Sequence, residues 1–98
     1  MTQATLRAVH NAFVKAQVTA SNSHNNFEKF KYQKEMLLQK GREYISRGRG
    51  SKNTTLEAEG KAFIRKGNLL DDRIKKSYHD YMESEAEMAR LNNLVTNS

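Results

Sequence analysis

Two apolar stripes, each alternating steps of three and four residues without a slip, constrain this chain more than any other feature. The first runs Leu6, Val9, Phe13, Ala16, Ala20, Ser23, Phe27, Phe30, Lys34, Leu37, Gly41 and Tyr44. The second runs Leu56, Gly60, Phe63, Gly67, Leu70, Ile74, Ser77, Tyr81, Ser84, Met88, Leu91 and Val95. That period puts every member of a stripe on one face of an α-helix, in the manner of a coiled-coil seam. The sequence contains no proline, so nothing within either stripe removes a backbone donor or forces a helix to end. We therefore expect an all-α chain, an antiparallel helical hairpin with coiled-coil-like packing. The expected organisation is a single helical domain over 1–98, with a helix region at 3–46, a basic turn at 47–53 and a helix region at 54–95.

Local signals support the division and mark two weak places. Thr54 followed by Glu57 reads as a capping box at the start of the second helix. Glu43 with Arg47, Glu57 with Lys61 and Asp72 with Lys76 are favourable pairs one helical turn apart. The stretch Thr19–Asn26, TASNSHNN, is poor in helix formers, and Asn25 with Glu28 could begin a new helix. Gly67 and Asn68 followed by Asp71 carry a similar signal. Because both stripes keep their phase through these places, two long helices, bent there, are expected; four shorter helices are the alternative.

The seam is thin. Ser23, Lys34, Ser77 and Ser84 are polar, while Ala16, Ala20, Gly60 and Gly67 are small. With 98 residues, 37% of them hydrophobic, and no tryptophan, one such core buries little, so a partner or a homo-oligomer is expected to supply the rest. The apolar edges Phe27, Phe30, Leu38, Ile45 and Ile64 are candidates for that contact, as are Tyr78 and Met82, which are offset from the seam. Methionine suits an adaptable protein surface.

Charge is concentrated around the turn. From Lys29 to Lys66 there are eleven basic and four acidic residues, a net of +7, against −2 from Gly67 to Ser98 with four basic and six acidic. Lys40, Arg42, Arg47, Arg49 and Lys52, with Lys61, Arg65 and Lys66 beside them, form the candidate contact for an anion or an acidic protein partner. A basic turn that is merely solvated is the plainer reading. Nucleic acid is the alternative ligand, because arginine grips phosphate through paired hydrogen bonds and Gly48 and Gly50 would let a backbone come close. No helix-turn-helix, zinc-knuckle or RNP pattern accompanies these cations.

Catalytic chemistry has no foothold in the sequence. There is no cysteine, no GxSxG serine and no glycine-rich phosphate loop after a strand, so no catalytic residue, cofactor or metal is assigned. His79 and Glu83 stand one helical turn apart with Asp72 on nearly the same face, but HExxH is absent and a solvated polar face accounts for them. Late in the second helix Tyr81 and Glu85 form a YxxxE pattern. A hairpin of about this length carrying that pattern loosely resembles the WXG100 family of secreted helical hairpins, in which such a pair belongs to the export signal. The turn here reads REYISRGRG in place of that family's tryptophan and glycine, so the resemblance rests on the pair alone and implies no assignment.

No run approaches the roughly 20 apolar residues of a membrane span, and the N-terminal segment lacks the apolar core of a signal peptide. Membrane insertion is not expected. Cytoplasmic localisation is the default, and the missing cysteines leave virion-associated or unconventionally secreted locations open. The expectation is thus a non-enzymatic interaction protein: an adaptor, an inhibitor or a structural subunit, of a kind common in phages and mobile elements. A nucleic-acid-associated protein is the runner-up, and a secreted hairpin the minor alternative.

Overall fold

The computed structural model describes residues 2–97. Helix α1 spans Gln3–Ser51, α2 spans Thr54–Asn68 and α3 spans Asp71–Thr96. The fold is an all-α antiparallel hairpin whose first arm is α1 and whose second arm is α2 followed by α3. The chain divides into two compact units, a terminal unit of residues 1–26 with 76–98 and a turn-proximal unit of residues 27–75.

Helix α1 starts at Thr2, whose hydroxyl accepts from the Thr5 N–H at 3.1 Å, and then runs 49 residues without a break. The weak stretch at 19–26 stays helical because Ala20 and Ser23 are buried there. Packing on one face outweighs propensity differences of a few tenths of a kcal/mol per residue.

The turn is shorter than the expected 47–53. Only Lys52 and Asn53 separate the helices, because α1 continues through Arg47, Gly48 and Arg49 to Ser51. It closes as a Schellman motif: the Asn53 N–H donates to Gly48 O at 2.7 Å and the Lys52 N–H to Arg49 O at 3.4 Å. Lys52 holds the left-handed residue of that motif, with φ 53°. Asn53, not Thr54, caps α2, its side-chain oxygen accepting from the Leu56 N–H at 3.0 Å. The two-residue link brings the helix ends together so closely that a Cβ at Gly48 would lie 2.7 Å from the Glu57 backbone nitrogen.

In the turn-proximal unit α1 and α2 meet backbone to backbone. A Cβ on Gly60 would stand 2.6 Å from Gly41 O, and one on Gly41 would stand 2.7 Å from Gly60 O. Ile45 and Ile64 pack over the crossing from either side, and Leu38 covers Gly67. Beyond it the Tyr44 and Phe63 rings meet edge to face at 5.2 Å. Lys34, the polar member of the stripe, is matched by Asp71 across the helices at 2.5 Å. The second arm breaks at Leu69 and Leu70, just after the expected place, where the Leu70 N–H donates to Gly67 O at 3.1 Å in one tightened turn.

In the terminal unit the seam is made of Ala16, Ala20 and Ser23 against Ser77, Ser84 and Leu91, all buried. The Ser84 hydroxyl donates to Asp80 O at 2.9 Å, so its burial leaves no orphaned polar atom. The His24 and Tyr81 rings lie 5.3 Å apart above this seam.

Gly60→Ala and Gly41→Ala should each destabilise the hairpin by about 1 to 3 kcal/mol, since the added methyl meets backbone that cannot step aside. Gly50→Ala should stabilise by up to about 1 kcal/mol, because that helical glycine has no atom within 4 Å of the new methyl. Urea denaturation followed by circular dichroism distinguishes the three. Lys52→Gly should stabilise the chain by about 0.5 to 1 kcal/mol in the same titration, relieving the left-handed penalty of a lysine there at some cost in unfolded-state entropy.

Candidate interaction surfaces

Every cation expected around the turn lies in the turn-proximal unit, and all eight are exposed: Lys40, Arg42, Arg47, Arg49, Lys52, Lys61, Arg65 and Lys66. This unit carries thirteen basic and seven acidic residues, net +6, while the terminal unit has four of each. The whole excess charge of the chain therefore belongs to residues 27–75.

The cations do not form one cluster. Arg49 Nε lies 3.3 Å and Lys61 Nζ 3.7 Å from the same Glu57 carboxylate oxygen, so the tip is partly neutralised from within. Gly48, expected to let a ligand's backbone approach, is already used by the turn itself. Further along, Lys40 from α1 and Lys66 from α2 reach the same aromatic ring, 4.7 and 6.0 Å from the centre of Phe63. Lys40 is also 5.8 Å from the Tyr44 ring. These contacts hold the cations on an apolar floor, each worth about 0.5 to 1 kcal/mol at an exposed site.

Beside them is a surface the stripes did not reveal. Tyr32, Gln33, Met36, Leu37, Lys66 and Leu70 line an open groove of about 480 Å³. A second groove, sharing Lys66, is lined by Ala62, Arg65, Asn68 and Leu69. No carboxylate lines either. Leu69, at the break between α2 and α3, is 76% exposed and Tyr32 65%, the highest values among the large apolar side chains described. The signal for this surface was present in the i, i+4 spacing of Tyr32 and Met36, but both lie off the seam; Leu69 became prominent only because the helix breaks beside it.

The expected interface residues separate into two kinds. Phe27 and Phe30 are half-buried stripe members, with Lys31 4.9 Å from the first ring and Arg73 5.8 Å from the second. Leu38, Ile45 and Ile64 are half-buried as well, occupied by the glycine crossings. Tyr78 and Met82, in the terminal unit, are exposed at 50% and 48%.

In the terminal unit Arg90 and Glu87 pair one helical turn apart. Arg90 donates to both oxygens of Glu87, at 2.9 and 2.6 Å, which lowers the Glu87 pKa and raises that of Arg90. Tyr81 is held above the ordinary tyrosine range, first by the charge of Glu85 one turn on. His79, Asp80 and Glu83 bring ligand-type atoms within 4.8 Å of one another; Asp72, expected on that face, is not one of the three. His79 directs Nδ1 toward Asp80 at 4.0 Å and Nε2 toward Glu83 at 3.8 Å, an arrangement of an imidazole between two solvated carboxylates.

Comparison with protein-family models, curated proteins and solved structures finds no match to this chain. No helix among the described residues is long and apolar enough to cross a membrane.

Arg47→Glu with Arg49→Glu should leave the helical circular dichroism intact and cost no more than about 1 kcal/mol, because the ion pair lost to Glu57 is solvent-exposed. Glu85→Gln should let Tyr81 ionise at lower pH than in the wild type, since the charge that resists forming a nearby phenolate is gone. Tyrosine ring-carbon NMR across an alkaline titration reads that change directly.

Proposed function

We propose that this chain is a small non-enzymatic interaction protein, an adaptor, inhibitor or structural subunit, that engages an acidic helical partner through the turn-proximal unit. One observation carries this reading: Tyr32, Met36 and Leu69 stand exposed beside Lys66 and Arg65 in grooves without a carboxylate. Exposed apolar side chains edged by one sign of charge suit a helix whose apolar ridge is flanked by acids. The thin seam agrees, since no large side chain in the described residues is fully buried and covering this surface would add the missing burial.

Nucleic acid is the second reading, favoured by the confinement of the net charge to one unit and by the exposed Tyr32 ring. The two separate by salt and by apolar substitution. For a helical partner, the variant Met36→Ser with Leu69→Ser should abolish its capture from the native source, while Arg47→Glu with Arg49→Glu should weaken it modestly. For nucleic acid the order reverses, and a mobility-shift titration with duplex and single-stranded probes should show affinity falling steeply with salt. No shift at low salt eliminates the second reading, and capture indifferent to Met36 and Leu69 overturns the first.

A further inference from the structure

The groove lined by Tyr32, Met36 and Leu70 lies between cations that aromatic rings hold in place. At the end nearer the turn, Lys40 and Lys66 stand 4.7 and 6.0 Å from the centre of the Phe63 ring. At the other end the Arg73 guanidinium stands 5.8 Å from the centre of Phe30. All three cations belong to the groove's side of the hairpin. Lys40 follows the groove residue Gln33 by seven, and Arg73 follows Lys66 by seven, a step that returns to the same face. The groove residues of α1 fall between Phe30 and Lys40, so positive charge brackets the groove. Ten residues separate Phe30 from Lys40 on one unbroken helix, about 15 Å at 1.5 Å per residue.

The opposite side of the same unit is built differently. Glu57, nine residues before Lys66 and so about 180° round α2 from it, meets Arg49 and Lys61. Asp71, two seven-residue steps on from Glu57, meets Lys34. Among the described residues no carboxylate pairs with Lys40, Lys66 or Arg73. Glu43 and Glu59 stand past the Gly41 and Gly60 crossing, toward the turn. Cations fixed over rings and matched by no acid are placed in advance for a ligand's carboxylates.

We propose that the helical partner carries two acidic positions about ten residues apart, one meeting Lys40 and Lys66 and the other Arg73, with an apolar ridge between them seated over Tyr32, Met36 and Leu70. This rests on the reading of the grooves as the site of an acidic helix, and adds the spacing of that helix's charges. Steps of about three, four and three residues keep four positions on one helix face. Acid, apolar, apolar, acid at those steps spans the same 15 Å or so as the two cationic ends.

Blocked alanine-based helical peptides, labelled for fluorescence anisotropy, test this on the full chain at physiological ionic strength. One carries two central leucines bracketed by glutamates about ten residues apart. A second has the same composition with both glutamates at one end, and a third has glutamine in their place. The first should bind about fivefold tighter than either of the others. Lys40→Gln and Arg73→Gln should each weaken it roughly threefold. Lys75→Gln removes the same charge from the far side of α3, where screening isolates it, and should leave the affinity unchanged. Circular dichroism confirms that every variant is helical. Equal affinity for the three peptides, an equal loss with Lys75→Gln, or no binding at several hundred micromolar overturns the proposal. A single-stranded oligonucleotide that binds tighter than every peptide and loses affinity with Lys40→Gln and Arg73→Gln assigns the cations to nucleic acid and overturns it as well. Capture from the native source that requires Met36 and Leu69 does not depend on the spacing of the partner's acids, so this inference and the reading beneath it fail separately.

Discussion

The contact between Gly41 and Gly60 is the constraint on which the rest of the turn-proximal unit depends. Each glycine sets the other's carbonyl where a Cβ would otherwise be, at 2.6 and 2.7 Å. Two helices that touch through their backbones leave no volume on the seam for a large side chain, so bulky residues are displaced to its flanks. Ile45 and Ile64 lie over the crossing, Tyr44 and Phe63 meet edge to face, and all four are only half-buried. Close approach thus exchanges a deep core for backbone proximity and van der Waals contact. Its direct consequence is a protein whose apolar surface is shared between seam and exterior.

The cations answer the same constraint. Lys40, Lys66, Lys31 and Arg73 each stand over an aromatic ring that the seam cannot fully enclose. Their stems cover ring faces that would otherwise meet water, and their charged ends remain solvated. Charge placed in this way has a structural use before it has a functional one. Lys34 and Asp71 extend the point: the one lysine on the stripe is retained because a carboxylate at the start of α3 meets it. High local charge in this chain is partly the means by which shallow aromatic packing is held in water.

Sequence periodicity made the fold legible to an unusual depth, and the reason is physical. Every stripe position from Val9 to Tyr44 and from Leu56 to Leu91 is buried or half-buried; only Leu6 and Val95, the outermost member of each stripe, are exposed. A seam that keeps one phase leaves few alternatives for which face turns inward. The ends of elements were less legible. Asn53 and Thr54 are both good caps, and the choice between them depends on where the Schellman turn closes, which the Gly48 contact decides. The candidate site was only half legible, because charge density is a property of sequence while its neutralisation by Glu57, and the meeting of Lys40 with Lys66 over Phe63, depend on the register between helices.

That register also explains why the tip is a weaker candidate surface than its composition suggests. A long-range field from exposed charges fades within about 8 Å at physiological ionic strength, so it steers an encounter more than it holds a complex. Arg49 and Lys61 share one carboxylate, and Gly48 is closed against α2. The two grooves that share Lys66 differ in kind, because a partner across them would remove Tyr32, Met36 and Leu69 from water as well as meeting positive charge. Burying those three side chains offers about 25 cal/mol for each Å² of apolar surface covered, a contribution that salt does not screen. Binding at the groove should therefore persist at ionic strengths that would release a ligand held by the tip alone, which makes salt resistance the physical signature separating the two surfaces.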